Sequence, residues 1–362
     1  MSGASNTPLR LGLIGCGSIV KRMHIPSYLE LQGLVKVTAI SDLVQQNLDE
    51  VRVMLKLDDR ECYADYRRML EKGSIDVVVV ATPHAQHAEH VMAAAEAGYA
   101  VVCEKPMATT LEESVQVSEV IRRKGVPYSV VHNFLYTETM QRARAVVESG
   151  TIGKPHFGRG ELLSLKPADF GPEMADRSLA WRSQSAAGGG CLIDTAYHEI
   201  YSVETLIGSP IRYVEARVKT MALRIDVDDL AILMLEHENG AISTVSSSWC
   251  APGFRSGRWC EVHGGLGSLH VEPTQSNGLW VYAHAQRKWE DADDPRSTGA
   301  KELTQAQSSG HEEFFRACFG ALTLGSRPAV TPEAGRHNLA VIDAARKATD
   351  SRSAVAVTGA ST

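Results

Sequence analysis

Across the first 132 positions, apolar residues gather in short, nearly unbroken runs separated by stretches with helical spacing. "LRLGLIG" (9–15), "VKVTAIS" (35–41), "DVVVVAT" (76–82), "AVVCE" (100–104) and "YSVVH" (128–132) have the length and β-branched content of strands. "DVVVVAT" lacks polar alternation, which suits a strand covered on both faces. Between the runs, "SIVKRMHIPSYLELQ", "VQQNLDEVRVML", "AEHVMAAAEAG" and "LEESVQVSEVIRRKG" read as helices, two of them closing on a glycine. Strand–helix–strand alternation predicts a Rossmann-type, doubly wound parallel sheet.

After about residue 150 the rhythm changes. "RYVEARVKTM", "LAILMLEH", "ISTVSSSW", "RWCEVHG", "GSLHVE" and "LWVYAHA" follow one another as strands, with a hairpin signal at Asn239-Gly240. This predicts a mostly antiparallel, open-faced sheet, flanked by the late helices "HEEFFRACFGAL" and "PEAGRHNLAVIDAARKA". The expected division is a nucleotide-binding domain over 1–132 and a substrate-binding and assembly domain over 133–362. Helix 137–149 crosses between them, and the late helices pack back on the first domain.

Composition narrows the function. The chain has 362 residues, 44% hydrophobic and 22% charged, enough for two cores, with only the first eight residues and 290–309 expected to lack fixed structure. A net charge of −6 offers no basic footprint, so nucleic acid is not expected as a partner. Seven scattered cysteines without C-x-x-C spacing argue against a disulfide framework or a zinc site. The polar start "MSGASNTPLR" has no apolar leader core, and no run is long enough for a bilayer, so a soluble cytoplasmic protein without a membrane partner is expected.

Candidate chemistry begins at "LGLIGCGSIV". Gly15 permits the tight turn after the first strand, and Gly17 lets a pyrophosphate approach the helix start at Ser18 and Ile19. Val20 takes the place of a third glycine. Asp42, ending the second strand, either binds the ribose hydroxyls or caps the next helix. Leu43 and Val44 follow it and offer no cation for a 2′-phosphate, so NAD is favoured over NADP. In "ATPHAQHAEH", His84, His87 and His90 lack a carboxylate or thiolate to complete a metal set, and no metal site is expected. Lys105, in "CEKPMATT", lies at the crevice rim beyond a buried strand. "GGGCLIDTAYHEI" (188–200) sets three glycines before Asp194 and His198, two polar residues four apart on one helical face.

In that order and spacing, "GLIGCGSI", "ATPHAQH", "EKP" and "GGGCLIDTAYHEI" resemble the Gfo/Idh/MocA oxidoreductases, a likeness spanning nearly the whole chain. The resemblance implies hydride transfer between NAD(P) and a hydroxyl carbon of a sugar or cyclitol, and a cis Lys105–Pro106 peptide. Lys105 matches the lysine of the family's E-K-P motif, Asp194 and His198 match its D-x-x-x-H pair, and Thr82, Pro83 and His87 match its cofactor loop. Ala196 stands where many members carry glycine. His84 and Glu104 complete the cofactor set; His132 and Arg182 join Lys105, Asp194 and His198 toward substrate. Trp181 and Arg182 serve either a sugar or packing. Glu161 and His311 are weaker candidates, Tyr197 packs elsewhere, and Asp228 and Asp229 are structural. Gly188–Gly190 are expected to let the backbone pass close to the nicotinamide.

The expected reaction uses His198 as acid/base, with Lys105 stabilising the alkoxide and Asp194 binding a neighbouring hydroxyl or holding the imidazole. Two other classes share this fold: a glycoside-cleaving enzyme with transient oxidation, and a non-enzymatic NAD- or sugar-sensing regulator. A homodimer or homotetramer through the C-terminal sheet is expected, because an open sheet face needs cover.

Overall fold

The computed structural model describes residues 7–167, 169–174, 177–251, 257–274, 278–283 and 308–359. Most of the opening residues and of 290–309, expected to lack fixed structure, lie outside these, as do the last two residues of "LWVYAHA".

Six strands form a parallel sheet: β1 (Leu9–Ile14), β2 (Val35–Ser41), β3 (Cys62–Tyr63), β4 (Val77–Val80), β5 (Ala100–Cys103) and β6 (Tyr128–Val130). Their order is 3-2-1-4-5-6, so the winding reverses between β1 and β4, where open sheets of this kind take their ligands. Helices α1 (Ile25–Glu30), α2 (Gln45–Leu55), α3 (Tyr66–Lys72), α4 (His87–Glu96) and α5 (Leu111–Lys124) flank it. Burial of all four valines of β4 accounts for its unbroken apolar run. The pair β3–α3 was not foreseen, because two residues leave no periodic trace.

The chain then runs through α6 (Glu138–Glu148), β7 (Pro155–Leu163), α7 (Arg177–Ala180) and α8 (Tyr197–Ile207). The next strands are β8 (Ile211–Lys219), β9 (Leu230–His237), β10 (Ile242–Ser248), β11 (Gly257–Gly264), β12 (Gly267–Val271) and β13 (Leu279–Ala283). Helices α9 (His311–Thr323) and α10 (Pro332–Ser351) precede a short last strand, β14 (Val355–Ala356). The second sheet has the order β13-β12-β11-β7-β10-β9-β8-β14. Its neighbours are antiparallel except β7 and β10, which run parallel in its middle. Along β9 the burial alternates, with Ala231, Leu233 and Leu235 inside and Ile232 and Met234 outside.

The two sheets share one continuous apolar core. Helix α9 lies against α1, and α10 lies against α5, β6 and β8. Two hydrogen bonds fix this arrangement: Ser129 Oγ donates to the Val330 carbonyl at 2.8 Å, and Asn338 Nδ2 to the Tyr197 carbonyl at 2.9 Å. No helix among the described residues is long and apolar enough to cross a membrane.

Many histidines are buried. Burial brings His90 down to about 4 and His132 to about 3, and is the first cause lowering His24, His84, His87 and His198. The unfolded chain, with ordinary imidazoles, accepts protons that these sites refuse. Their stabilising effect is therefore whole above about pH 6.5 and declines as the pH falls below it, by up to about 1.4 kcal/mol per unit and site. The melting midpoint is expected to hold from pH 8 to 7 and to drop steeply between 6.5 and 5. Equal midpoints at pH 5 and 7.5 in calorimetry would contradict this account.

Candidate active site

Beyond β1 the chain turns at Gly15, with φ +97°. A Cβ there would lie 2.6 Å from the Ala81 carbonyl oxygen, so the turn sits against the end of β4. At Gly17 a Cβ would meet nothing within 4 Å, which leaves the loop open to a bulky group. No side chain caps the helical start at Ile19, so its first N–H groups are available to an anion. Val20 is buried and opens a π-helical turn, Val20–His24, where a third glycine would otherwise sit. The Asp42 carboxylate accepts from Cys16 N at 2.7 Å, Val44 N at 2.8 Å and Asn47 Nδ2 at 3.3 Å. It therefore braces the glycine loop and keeps acceptor capacity for hydroxyls. The next two side chains, Leu43 and Val44, are exposed and uncharged. A glycine position open to a phosphate, and a carboxylate followed by two uncharged side chains, fit NAD; the nearby Lys21 ammonium is held by Glu50 and Asn47.

After β4, the three histidines take different partners and do not converge. His84 Nδ1 lies 2.8 Å from the Gly188 carbonyl, and its Nε2 3.6 Å from Asp194 Oδ1. His87 spans the carbonyls of Pro106 and Thr82 at 2.6 and 2.8 Å, tying the loop at Thr82–Pro83 to that at 106. His90 Nδ1 meets Thr82 Oγ1 at 3.1 Å.

The Lys105–Pro106 peptide is cis. Lys105 Nζ donates to Asp194 Oδ1 at 3.0 Å and to the Asp194 carbonyl at 2.6 Å, a contact between the two halves. Arg182 Nε donates to the other carboxylate oxygen at 3.2 Å, and its guanidinium stacks over Trp181 at 4.5 Å. Trp181 also packs edge-on against His84. Burial opposes ionisation of Asp194, but Lys105 and then Arg182 outweigh it and hold the carboxyl well below the usual range. Glu104, expected at the cofactor, turns its carboxylate the other way. It lies 2.7 Å from His24 Nε2 and 3.7 Å from His311 Nε2, and accepts from Lys105 N at 3.3 Å. Among the described residues, this is the histidine, cysteine and acid trio whose ligand atoms converge, all within 4.8 Å.

Asp194 lies on a π-helical turn, Leu192–Ala196, and His198 on the first turn of α8. Such turns recur at functional sites. His198 Nδ1 is 2.8 Å from Tyr201 Oη, and Phe134 packs edge-on against the ring. Burial, then the Lys105 and Arg258 charges, hold its imidazole well below the ordinary value, while Asp194 pulls weakly upward. The imidazole is thus neutral near pH 7 and shares the cleft with the Lys105 ammonium. His132 stacks on Tyr201 and meets Tyr197 Oη at 3.0 Å, in the aromatic cluster beside His198. Tyr197 is buried there, with its hydroxyl at His132.

The glycine segment has a cause within the chain itself. A Cβ on Gly189 would run into the Arg182 carbonyl oxygen and stand 2.6 Å from its carbon. One on Gly188 would hit Thr109, and one on Gly190 would lie 2.6 Å from Asp228 Oδ1. The three glycines are thus required by the chain's own packing around the Asp194 turn. Asp228 fixes that turn further by accepting from Leu192 N at 2.6 Å, while Asp229 gathers the N–H groups of Met221, Ala222 and Leu223.

Two family models match. One, for the oxidoreductase family with an NAD-binding Rossmann fold, covers residues 9–132, and the GFO/IDH/MocA C-terminal domain covers 140–270. The chain belongs to the Gfo/Idh/MocA oxidoreductase family. NAD is the cofactor of its Rossmann half. Levoglucosan dehydrogenase of Pseudarthrobacter phenanthrenivorans is 32% identical over 230 residues, and the match spans 57% of either chain. Myo-inositol 2-dehydrogenase of Thermotoga maritima is 23% identical over 357 residues, 96% of this chain and 98% of that one. A solved levoglucosan dehydrogenase in complex with NADH and levoglucosan has a TM-score of 0.84 at 26% identity, covering 97% and 100% of the chains.

Within this Gfo/Idh/MocA site, sequence reasoning missed Lys166. It follows β7 in "SLKPADF", outside every motif singled out along the chain. Its ammonium stands 4.9 Å over Trp249 and 5.6 Å over Phe170. Trp249 Nε1 in turn donates to Thr195 Oγ1 at 2.6 Å, directly beside Asp194. Burial lowers the Lys166 pKa and the Asp194 charge opposes that shift. His24 was also missed, and His311 was read only as a weaker candidate; 287 residues separate them, and only the fold brings both to Glu104.

Proposed function

We propose that this chain oxidises a secondary hydroxyl of a sugar or cyclitol to a carbonyl, with His198 as proton acceptor and Lys105 and Asp194 as the groups that hold the reacting oxygen. The observation that supports it is the contact of Lys105 Nζ with Asp194 Oδ1 at 3.0 Å beside a buried, neutral His198. NAD, when bound, supplies the acceptor for the hydride released from the carbon. Gly15, Gly17, Ser18, Ile19 and Asp42 would hold its nucleotide part, and Thr82, Pro83 and the 104–106 turn would border it.

The hydroxyl proton goes to His198 Nε2, since Nδ1 faces Tyr201; this requires Nδ1–H to donate to Tyr201 Oη. Lys105 stabilises the negative charge that builds on the oxygen, and a fixed ammonium in a partly dry cleft does this without reorganising. Asp194 keeps Lys105 in place and accepts from a second substrate hydroxyl. Hydride and proton together leave a ketone, so the electrons balance with one NADH formed.

Purified protein with NAD and a panel of levoglucosan, myo-inositol, D-apiose and common aldoses is expected to accumulate NADH absorbance at alkaline pH. Release of an aglycone from glycosides without NADH would replace this reading with the glycoside-cleaving one, and binding without either would leave the sensor. The exposed Ile232, Met234 and Ile242 on the open sheet support self-association through that face. Light scattering should then show a dimer or tetramer, and a clean monomer at micromolar concentration would reject it.

A further inference from the structure

Among the described residues, charge in the cleft does not balance. Lys105, Lys166 and Arg182 surround one carboxylate, Asp194, and the buried His84 and His198 are neutral. Lys105 and Arg182 both bond to Asp194. Arg258, the next cation, is taken up by the buried Glu199. Among the described residues, no hydrogen-bond acceptor meets the Lys166 ammonium; its neighbours are the faces of Trp249 and Phe170. Those rings belong to a small apolar cluster with Met174, Ala180, Cys191 and Val227 that backs the site. They fix the lysine stem and exclude water from one side, and they offer no anion. The two ring faces offset part of its desolvation, and a carboxylate on its open side would add the charged acceptor that the rings lack.

We infer that the substrate is an acidic polyol, a sugar acid or carboxylated cyclitol, whose carboxylate binds Lys166 while a neighbouring hydroxyl lies between Lys105 and His198. This rests on the reading of the site under Proposed function and narrows its substrate class. Both charge and place support the inference. One unmatched cation calls for one negative charge, and Lys166 reaches the cleft from β7, across Trp249 and Thr195 from the Asp194 turn. A carboxylate there makes a charge-assisted hydrogen bond, the kind strong enough to select between an acid and its neutral counterpart.

The test pairs acids with neutral counterparts: D-glucuronate with D-glucose, D-galacturonate with D-galactose, and D-gluconate with D-glucitol. NADH formation is followed for the wild type, Lys166→Met and Lys166→Arg. Calorimetry on the NAD-loaded protein reads binding of the same compounds without turnover. The wild type is expected to favour at least one acid over its partner by 10-fold or more in kcat/KM. Lys166→Met should cut that value about 10- to 100-fold, mainly through KM, and cut the neutral partner's clearly less, so that the preference collapses. Lys166→Arg should keep most of the preference. Equal use of acids and neutral partners by the wild type, or equal losses on both in Lys166→Met, would overturn the inference and leave the dehydrogenase reading standing. Lys166-dependent binding of an acid without any NADH would do the reverse. Neither binding nor turnover of any acid overturns the acidic substrate.

Discussion

His198→Ala lowers kcat for alcohol oxidation by about 10²–10⁴-fold, the usual worth of a positioned proton acceptor, and leaves NAD affinity within a few-fold. Lys105→Ala is expected to lose at least as much. It removes the ammonium at the developing alkoxide and leaves the buried Asp194 carboxylate with Arg182 alone as its charged partner. The two changes act on one step, so the double variant should fall little below the worse single one. Steady-state turnover and NAD titration by fluorescence are the measurements. Turnover within a few-fold of wild type in either variant would remove that residue from the chemistry. Because the imidazole is held below its ordinary value, the acid limb of kcat/KM should also lie below about pH 6.5.

Gly189→Ala should damage stability and turnover together. The new carbon meets the Arg182 carbonyl, which is backbone and already accepts from Gly190 N at 3.1 Å. Relief requires moving either the 180–184 turn that carries Arg182 or the Asp194 turn itself. Overpacking of this sort costs about 1–3 kcal/mol, and here the displaced parts are those that meet Lys105. A melting midpoint lower by several degrees, with turnover down at least tenfold, is expected. A variant as stable and active as wild type would show that the segment yields, and that the glycines answer to something other than packing.

Much of this site is legible along the chain because its parts are local. The turn at Gly15–Gly17, Asp42 at a strand end, and Asp194 with His198 four residues on each announce themselves through short-range spacing. What is not legible depends on distant neighbours. The π-helical turn under Asp194 has no compositional mark. Parallel pairing of β7 with β10 joins positions 85 apart in the chain, from Ile242 with Phe157 to Ser248 with Leu163, and only the register of the folded sheet sets it. Lys166 sits in a loop whose apolar backing, Trp249, comes from the far end of another strand. Gly188–Gly190 are visible as a pattern, but their packing cause is not, since a Cβ there would strike Arg182, Thr109 or Asp228, which only the fold brings to them.

The way α9 and α10 return to the first sheet has a consequence for how the protein is made. His311 reaches Glu104 from α9, and α10 covers β6. During synthesis, every strand except β14 leaves the ribosome before these helices do. A nascent chain ending near residue 300 therefore has an uncovered flank and a Glu104 carboxylate lacking one of its two imidazoles, both completed only when the last sixty or so residues emerge.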